Sequence, residues 1–294
     1  MIGAGVWDFS FYLCPSMTEE ISNKKSGNKM TPEAEMSFWE HLEELRWLLV
    51  RSFIAVVVMA MIAFLGRKII FDSIILGPNS PDFLTYHFLC YLARTTHIDG
   101  LCYDVIQLKI INYNMAGQFV THLNISFIAG IILAMPYILR EFWRFLKPAL
   151  NEKERKYSYI AMSVSFMLFI IGILFGYLII VPLTLYFFAH YSVSSSVDNL
   201  IQLSSYINTV VYTTISVGAV FLLPVFMLLM VKMGIMSASF LKRSRKVSFV
   251  VILVLATIIG PPDVPSTLIL CIPLYGLYEL TVWAAGKMEK KAKE

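Results

Sequence analysis

The stretch YIAMSVSFMLFIIGILFGYLIIVPLTLYFF, residues 159–188, contains no charged side chain. A helix needs roughly 20 consecutive apolar residues to cross a hydrocarbon core of about 30 Å, so this stretch predicts a membrane-spanning helix. The composition of the whole chain agrees, because 57% of its residues are hydrophobic and 15% are charged, whereas soluble domains carry about 25% charged residues. The sequence therefore predicts an all-α integral membrane protein.

Apolar stretches on both sides of this one bring the number of predicted spans to six. The run Gly260-Pro261-Pro262-Asp263 separates the last two, because a continuous helix does not tolerate adjacent prolines. The fifth and sixth helices are expected to be short, and the fifth would cover only about 20 Å. In chain order the predicted spans are residues 48–65, 119–139, 159–188, 206–231, 247–259 and 267–285.

Lysine and arginine are concentrated on alternate connections between these spans. The long first connection has only four of them, balanced by four aspartates: Arg67, Lys68, Arg94 and Lys109. The segments after spans two and four and the C-terminal tail are rich in both residues, whereas the connections after spans three and five contain neither. Because positively charged loops remain in the cytoplasm, this alternation predicts an even number of spans with both termini cytoplasmic. The net charge of +4 then belongs to faces beside anionic lipid, and no basic surface suited to nucleic acid emerges.

The first 30 residues differ from the rest of the chain. Their polar run, residues 23–29, predicts a disordered extension or translation that starts further along the chain, with Met17 and Met30 as alternative starts. Residues 31–290 are expected to form one six-helix transmembrane domain. It would open with an amphipathic helix over residues 31–45, where Thr31 and Pro32 suit a helix start. Its apolar stripe is compatible with an interfacial anchor and equally with a binding function.

The first outer connection, about residues 66–117, contains two cysteines. Cys90 and Cys102 would form a disulfide in an oxidising compartment. His87 and His97 leave a zinc site as an alternative, although their spacing matches no standard ligand pattern. The disulfide is the favoured interpretation.

Signatures of enzymes are missing from the sequence, which has no HExxH, no GxSxG elbow and no Walker A loop. We therefore expect no enzymatic activity, no cofactor and no metal. A small-molecule secondary transporter is the main alternative function, but it would place ionisable groups inside its spans. Glu279 is the main such group here, and a structural role between helices is equally compatible with it. An intramembrane enzyme is a second alternative.

Two segments at the predicted cytoplasmic surface mix carboxylates with aromatic side chains. They are FWEHLEELR, residues 38–46, and PYILREFWRFLKPALNEKER, residues 136–155. Carboxylates bind guanidinium groups in a bidentate manner, and the aromatic groups and lipid accept an apolar segment. This combination suits an amphipathic cationic ligand.

The same segments resemble the TatC family, the polytopic receptor subunit of the twin-arginine protein translocase. HLEELR, residues 41–46, is similar to the family motif HLxELR, and residues 135–155 are similar to its first cytoplasmic loop. Further matches are PPDV at residues 261–264 and IPLYGLYE at residues 272–279. The resemblance covers residues 36–286, with four motifs in order on one six-span layout.

The resemblance implies a function at the bacterial cytoplasmic membrane. Such a protein would bind twin-arginine signal peptides on its cytoplasmic face and recruit single-span TatA/TatB-type subunits, as a homo-oligomer within the receptor complex in the lipid bilayer. It would export folded proteins using the proton-motive force. The implied signal-peptide-binding residues are Glu44, Arg46, Phe145, Glu154 and Arg155. Structural or partner-contact roles are implied for Pro78, Phe119, Pro136, Trp143, Pro148, Leu222, Asp263 and Glu279.

The sequence departs from the family in span four. Many members carry a carboxylate or amide just before a proline there, whereas this chain has Leu222 in the run Phe221-Leu222-Leu223-Pro224. A partner contact made by that polar group would need a substitute, for which Thr213, Thr214 and Ser216 are candidates. Trp47 and Leu48 also replace the basic pair that follows the first motif.

Overall fold

The computed structural model describes residues 38–80, 83–86, 90, 108–147, 158–192, 194, 200–260 and 263–293. The chain divides into two units, Met1–Glu43 and Glu44–Glu294. Of the first unit, residues 38–43 are described and form the start of a helix. The predicted extension over residues 1–30 lies outside the described part of the chain.

Helix α1, Phe38–Leu65, is 28 residues long and contains neither glycine nor proline. Nothing in its sequence interrupts the backbone hydrogen bonds, so the helix is continuous. The sequence predicted a separate surface helix ending at residue 45 before a span starting at residue 48. That boundary was wrong, and residues 31–37 of the predicted surface helix lie outside the described residues.

The connection after α1 contains a π-helical segment, Ile69–Ile75, and a 3-10 turn, Gly77–Asn79. Further along, strand β1, Ile110–Ile111, pairs in parallel with strand β2, Ile201–Gln202. The side chain of Asn79 accepts a hydrogen bond from the Leu108 N–H at 2.9 Å. The strand pairing joins two connections that are about 90 residues apart, whereas the Asn79–Leu108 hydrogen bond links two parts of the same connection.

Of the first three long helical segments, the second and the third each pass through a proline. Helix α2, Gly117–Leu146, contains Pro136. Helix α3, Ser158–Phe175, continues through a π-helical segment, Gly176–Ile180, into helix α4, Val181–His190, whose second residue is Pro182. Proline lacks an N–H, and its ring crowds the preceding turn of a helix. The wider π-helical turn before Pro182 accommodates the ring, so the helical segment continues past the proline.

The fourth apolar stretch is broken into two helices. Helix α5, Leu203–Val220, and helix α6, Leu223–Lys232, are separated by a turn at Phe221 and Leu222. Pro224 explains the break, since it is favoured in the first turn of a helix and cannot continue the preceding one. Helix α3 approaches α5 closely, because a Cβ on Gly172 would lie 2.9 Å from the Cα of Gly218.

Three helices complete the described chain: α7, Ala238–Arg243, α8, Arg245–Ile259, and α9, Val264–Lys293. Helix α8 has 15 residues and is short, as predicted. The prediction of a short last helix was wrong, because α9 has 30 residues. It begins at Val264, where Asp263 caps it, contains Pro273 within its length and continues into the charged tail.

In the described part of the chain, five helical segments are long and apolar enough to cross a membrane. The 15-residue α8 is not among them. The chain is thus helical and carries multiple apolar spans, as the sequence predicted. The five segments are Leu42–Leu65, Gly117–Leu146, Tyr159–His190, Leu203–Lys232 and Val264–Glu289.

Buried apolar residues form three clusters. The first joins the segment Ile69–Ile75, α2, α4 and α5 around Tyr206 and Ile207. The second joins α5, α8 and α9 around Phe221 and Leu270, and the third joins α6, α7 and α9 around Tyr278. Among the described residues, α1 contributes to none of these clusters.

Candidate functional site

The first turns of α1 expose the residues of the first motif. Glu44 and Arg46 are both exposed, and within the described residues neither makes a hydrogen bond or an ion pair. Both side chains are therefore exposed and without a charged partner among the residues that the structure describes. They sit directly before the apolar part of the helix, so a ligand bound here would lie beside a membrane-embedded segment.

The last turns of α2 carry the second motif. Trp143 is buried, and its indole N–H donates to the Ser165 hydroxyl at 3.2 Å, which fixes the end of α2 against α3. Phe145 is half-buried in the final turn of the same helix. The predicted residues Pro148, Glu154 and Arg155 lie outside the described residues, so their roles stay predictions.

Sequence reasoning missed Glu141, which lies one turn before Phe145. Its side chain is 8% exposed, and Oε2 accepts from Arg51 Nη1 of α1 at 3.4 Å. Arg144 Nη1 lies 3.8 Å from the other carboxylate oxygen. Placing an arginine inside a membrane span costs free energy unless a carboxylate pairs with it. The presence of Arg51 in the first span was therefore the feature of the sequence that could have predicted this ion pair.

Asp263 caps α9 from a buried position. Its Oδ2 accepts from the Ser266 N–H at 2.9 Å, and its Oδ1 lies 3.5 Å from the Thr184 hydroxyl in α4. The hydroxyls of Thr184 and Ser266 are 2.9 Å apart. Asp263 is 3% exposed, so this arrangement holds the start of α9 against α4 and leaves no open carboxylate for a ligand.

Glu279 joins α9 to α8. One carboxylate oxygen pairs with Arg245 Nη2 at 2.9 Å, and the other accepts from the Tyr275 hydroxyl at 3.2 Å. The charge inside the predicted span is thus compensated by an arginine at the start of α8. The structural role between helices, one of the two interpretations compatible with the sequence, therefore describes Glu279. A carboxylate that couples ion flow would be expected without such an ion pair.

The remaining predicted residues are spread over the molecule. Pro78 is buried, and its carbonyl accepts from the Tyr86 hydroxyl at 2.8 Å. Phe119, in the first turn of α2, is 61% exposed, Pro136 is exposed and Leu222 is half-buried. These positions test none of the proposed partner contacts.

The two cysteines in the described part of the chain differ in state. Cys90 forms a disulfide, and its predicted partner Cys102 lies outside the described residues. Cys271 is a free thiol, buried in the second cluster. The pairing of Cys90 with Cys102 stays a prediction.

Comparison with known proteins relates these residues to a family. Residues 40–273 match the family model described as Sec-independent protein translocase protein (TatC). A protein of Blattabacterium sp. subsp. Periplaneta americana (strain BPLAN), named Sec-independent protein translocase protein TatC, is 40% identical over 260 residues, covering 87% of this chain and 97% of that protein. TatCy of Bacillus subtilis (strain 168) is 30% identical over 260 residues, covering 88% of this chain and 92% of that protein.

The fold agrees with these relationships. A crystal structure of the twin arginine translocase receptor TatC, determined in DDM, matches with a TM-score of 0.67 at 28% identity. The match covers 84% of this chain and 99% of that one. The resemblance predicted from the four motifs is thereby confirmed, and the relatives are named as components of a protein translocase. The chain is a multi-pass membrane protein that belongs to the TatC family of Sec-independent protein translocase proteins.

Proposed function

We propose that this chain is the receptor that binds twin-arginine signal peptides on the cytoplasmic face of the bacterial inner membrane. The observation that carries the proposal is the exposed Glu44 at the head of an apolar helix in a TatC-family chain. An exposed carboxylate at the membrane boundary suits a guanidinium ligand whose neighbouring residues are apolar.

Two carboxylates would bind the two guanidinium groups, Glu44 from α1 and Glu154 from the loop after α2. Arginine offers two parallel N–H groups to a carboxylate, whereas lysine is a point charge, so arginine would be preferred. Each charge-assisted hydrogen bond contributes about 1.5–3 kcal/mol. Phe145 would contact the apolar part of the signal, while Arg46 and Arg155 would orient the two acidic segments.

The topology we propose has six spans with both termini in the cytoplasm. It counts α8 as a span, although its 15 residues reach only about 22 Å. A bilayer around a helix this short would be thinned, which would lower the barrier to a passing protein. This arrangement agrees with the alternation of basic connections, which brings Glu44 and Glu154 to the same side as an unexported signal peptide.

Single-span TatA/TatB-type subunits are the proposed partners, in a homo-oligomeric receptor complex driven by the proton-motive force. Leu222 offers them no polar group. Of the three proposed substitutes, Thr213 and Thr214 are buried and Ser216 is half-buried. Ser216 is therefore the more accessible of them. The chain itself would carry out no covalent catalysis and hold no cofactor.

Crosslinking to a synthetic signal peptide tests the proposed receptor function. A twin-arginine peptide and its Lys-Lys counterpart are offered to the protein in lipid nanodiscs, with Glu44→Gln and Glu154→Gln as variants. We expect the wild type to prefer the twin-arginine peptide by about tenfold or more, a difference of about 1.4 kcal/mol, and each variant to lose that preference.

Glu43→Gln is the matched control, because Glu43 is also exposed and precedes Glu44 on α1. Successive side chains on a helix point about 100° apart, so this variant removes the same charge from a different face. It should retain the preference for arginine. Equal crosslinking of both peptides by the wild type, or equal losses in Glu43→Gln and Glu44→Gln, would refute the proposed site.

A further inference from the structure

Helix α1 is held to the rest of the chain by few buried contacts. In the most apolar 18 residues of α1, 11% of the residues are buried. In the corresponding part of the segment Leu203–Lys232, 39% of the residues are buried. Val56 and Ala63 are the buried apolar residues of α1. A helix with so little buried surface gains little positional restraint from packing. Yet α1 carries Glu44, one of the two proposed ligand-binding carboxylates.

Helix α1 contacts α2 at three positions along its length. Phe64 stacks on His122 with ring centroids 4.1 Å apart. A Cβ on Gly130 would lie 2.7 Å from the Cβ of Ala60, so the backbones come close there. Nearest to Glu44 is the ion pair between Arg51 and Glu141. The first is a ring contact and the second is a close approach of backbones, and neither is an ion pair.

The ion pair differs from these contacts in that it is directional. The side chain of Glu141 is 8% exposed, whereas that of Arg51 is 43% exposed. A buried carboxylate requires a partner for its charge. Among the described residues, this is the ion pair that joins α1 to another helix. Arg144 also lies near Glu141, but on the same helix, and therefore does not restrain α1.

The position of the pair relates it to both parts of the proposed site. Arg51 follows Glu44 by seven residues, which is almost two full turns, so the two side chains lie on nearly the same face of α1 about 10 Å apart along the axis. Glu141 precedes Phe145 by four residues and lies on the same face of α2, about 6 Å away along the axis. The pair thus connects the two helices just beneath the residues proposed to bind the signal.

We infer that Arg51 and Glu141 are positioning residues for signal-peptide recognition. Their ion pair fixes α1 against α2 so that Glu44 is held at a defined distance from the end of α2. The inference rests on the proposed receptor function. It assigns the pair no contact with the peptide: the effect on binding acts through the placement of Glu44.

A double-mutant cycle tests the inference, using Arg51→Gln, Glu141→Gln and the two together. Each single variant should weaken binding of a twin-arginine peptide about tenfold, and the double variant should be no weaker than either single variant, since both remove one interaction. Arg51→Lys keeps the positive charge and should retain most of the affinity. Arg144 remains beside Glu141 in the Arg51 variants, so its carboxylate is not left without a positive neighbour.

A distance measurement separates positioning from folding defects. Spin labels are placed at Trp47→Cys and Lys147→Cys, two exposed positions near the ends of α1 and α2, in a chain that also carries Cys14→Ser and Cys271→Ala. The distribution of distances between the labels should broaden in Arg51→Gln and in Glu141→Gln. Arg245→Gln is the matched control, because it breaks an ion pair between α8 and α9 and should leave the distribution unchanged.

The outcomes distinguish the inference from the proposed function. Additive losses of affinity in the cycle, or a distribution that stays narrow in both single variants, would overturn the positioning role. A wild type that does not distinguish the twin-arginine peptide from the Lys-Lys peptide would refute the receptor function. The label distances would then still decide whether the pair fixes α1 on α2.

Discussion

Helix α1 and the pair of helices α5 and α6 are both apolar spans, but they are built into the molecule differently. Only 11% of the residues in the most apolar part of α1 are buried, whereas 39% are buried in the corresponding part of Leu203–Lys232. Helix α5 contacts α2, α3 and the segment Gly176–Ile180, and it supplies Tyr206, Ile207 and Val210 to the first cluster. Helix α1 contributes to none of the three clusters in the described part of the chain.

Because of this difference in burial, we expect the residues of α5 to determine the stability of the fold and the exposed residues of α1 to determine ligand binding. Changes in α5 or in the helices packed on it remove buried contacts, so they should lower the free energy of unfolding. Changes at the start of α1 alter exposed groups, so they should leave that free energy almost unchanged while altering binding. The following variants test this division in order of their expected effect on stability.

The largest loss is expected from Gly172→Leu. A Cβ at this position would lie 2.8 Å from the Cβ of Phe221 and 2.9 Å from the Cα of Gly218, a backbone atom that cannot move aside cheaply. Forcing a larger side chain into a packed contact costs about 1–3 kcal/mol and occasionally more. We expect a loss of about 3 kcal/mol in the free energy of unfolding, measured by titration with sodium dodecyl sulfate.

Gly276→Leu is the matched control, because among the described residues no atom outside the adjoining backbone of α9 lies within 4 Å of a Cβ at that position. A leucine there meets open space and favours helix formation over glycine. Similar losses for the two variants would contradict the view that packing between α3 and α5 determines stability.

Five of the six predicted spans coincide with apolar helical segments of the described chain, because long apolar runs have one physical explanation, whereas the predicted span over residues 247–259 is not among those segments. The run over residues 159–188 lies within the segment Tyr159–His190, and the run over residues 206–231 lies within Leu203–Lys232. The sequence prediction started the last helix at residue 267, although the helix begins at Val264, because the prolines before residue 267 were interpreted as a helix boundary. It did not include Asp263 as a cap that starts α9 at Val264.

The candidate site was less predictable than the spans. The exposed residues of the first motif follow from a resemblance that covers most of the chain. The partner of Arg51 did not follow, because Glu141 lies 90 residues away along the chain and only the packing of α1 on α2 brings the two together. For the same reason, the sequence left Glu279 undecided until Arg245 was found beside it.

A smaller loss of stability is expected from Asp263→Ala. This change removes the cap of α9 and leaves the Ser266 N–H without its acceptor and the Thr184–Ser266 pair without its carboxylate. Losing a helix cap of this kind costs about 0.5–2 kcal/mol, and we expect a value near the upper end, about 2 kcal/mol. Asp263→Asn retains an acceptor for the Ser266 N–H and should lose less than half as much. Equal losses in the two variants would show that the charge, and not the cap, is the stabilising feature.

The Tyr206→Phe variant removes a single buried hydrogen bond. The Tyr206 hydroxyl donates to the carbonyl of Ile75 at 2.9 Å and holds α5 against the segment Ile69–Ile75. The expected loss in the free energy of unfolding is about 1 kcal/mol, because the aromatic ring keeps its packing and only the hydrogen bond is lost. Tyr212→Phe serves as the control, since Tyr212 is 50% exposed on the same helix. A loss in Tyr212→Phe as large as that in Tyr206→Phe would argue against burial as the cause.

The smallest effect on stability is expected from Glu44→Gln. Glu44 is exposed and makes no hydrogen bond or ion pair within the described residues, and surface substitutions of this kind change stability by no more than about 0.5 kcal/mol. The same substitution should abolish the preference for the twin-arginine peptide. A residue that matters for binding but not for folding meets the requirement for a ligand contact. A loss of stability in Glu44→Gln as large as in Tyr206→Phe would mean that the carboxylate supports α1, and the division between a recognising helix and a stabilising one would then fail.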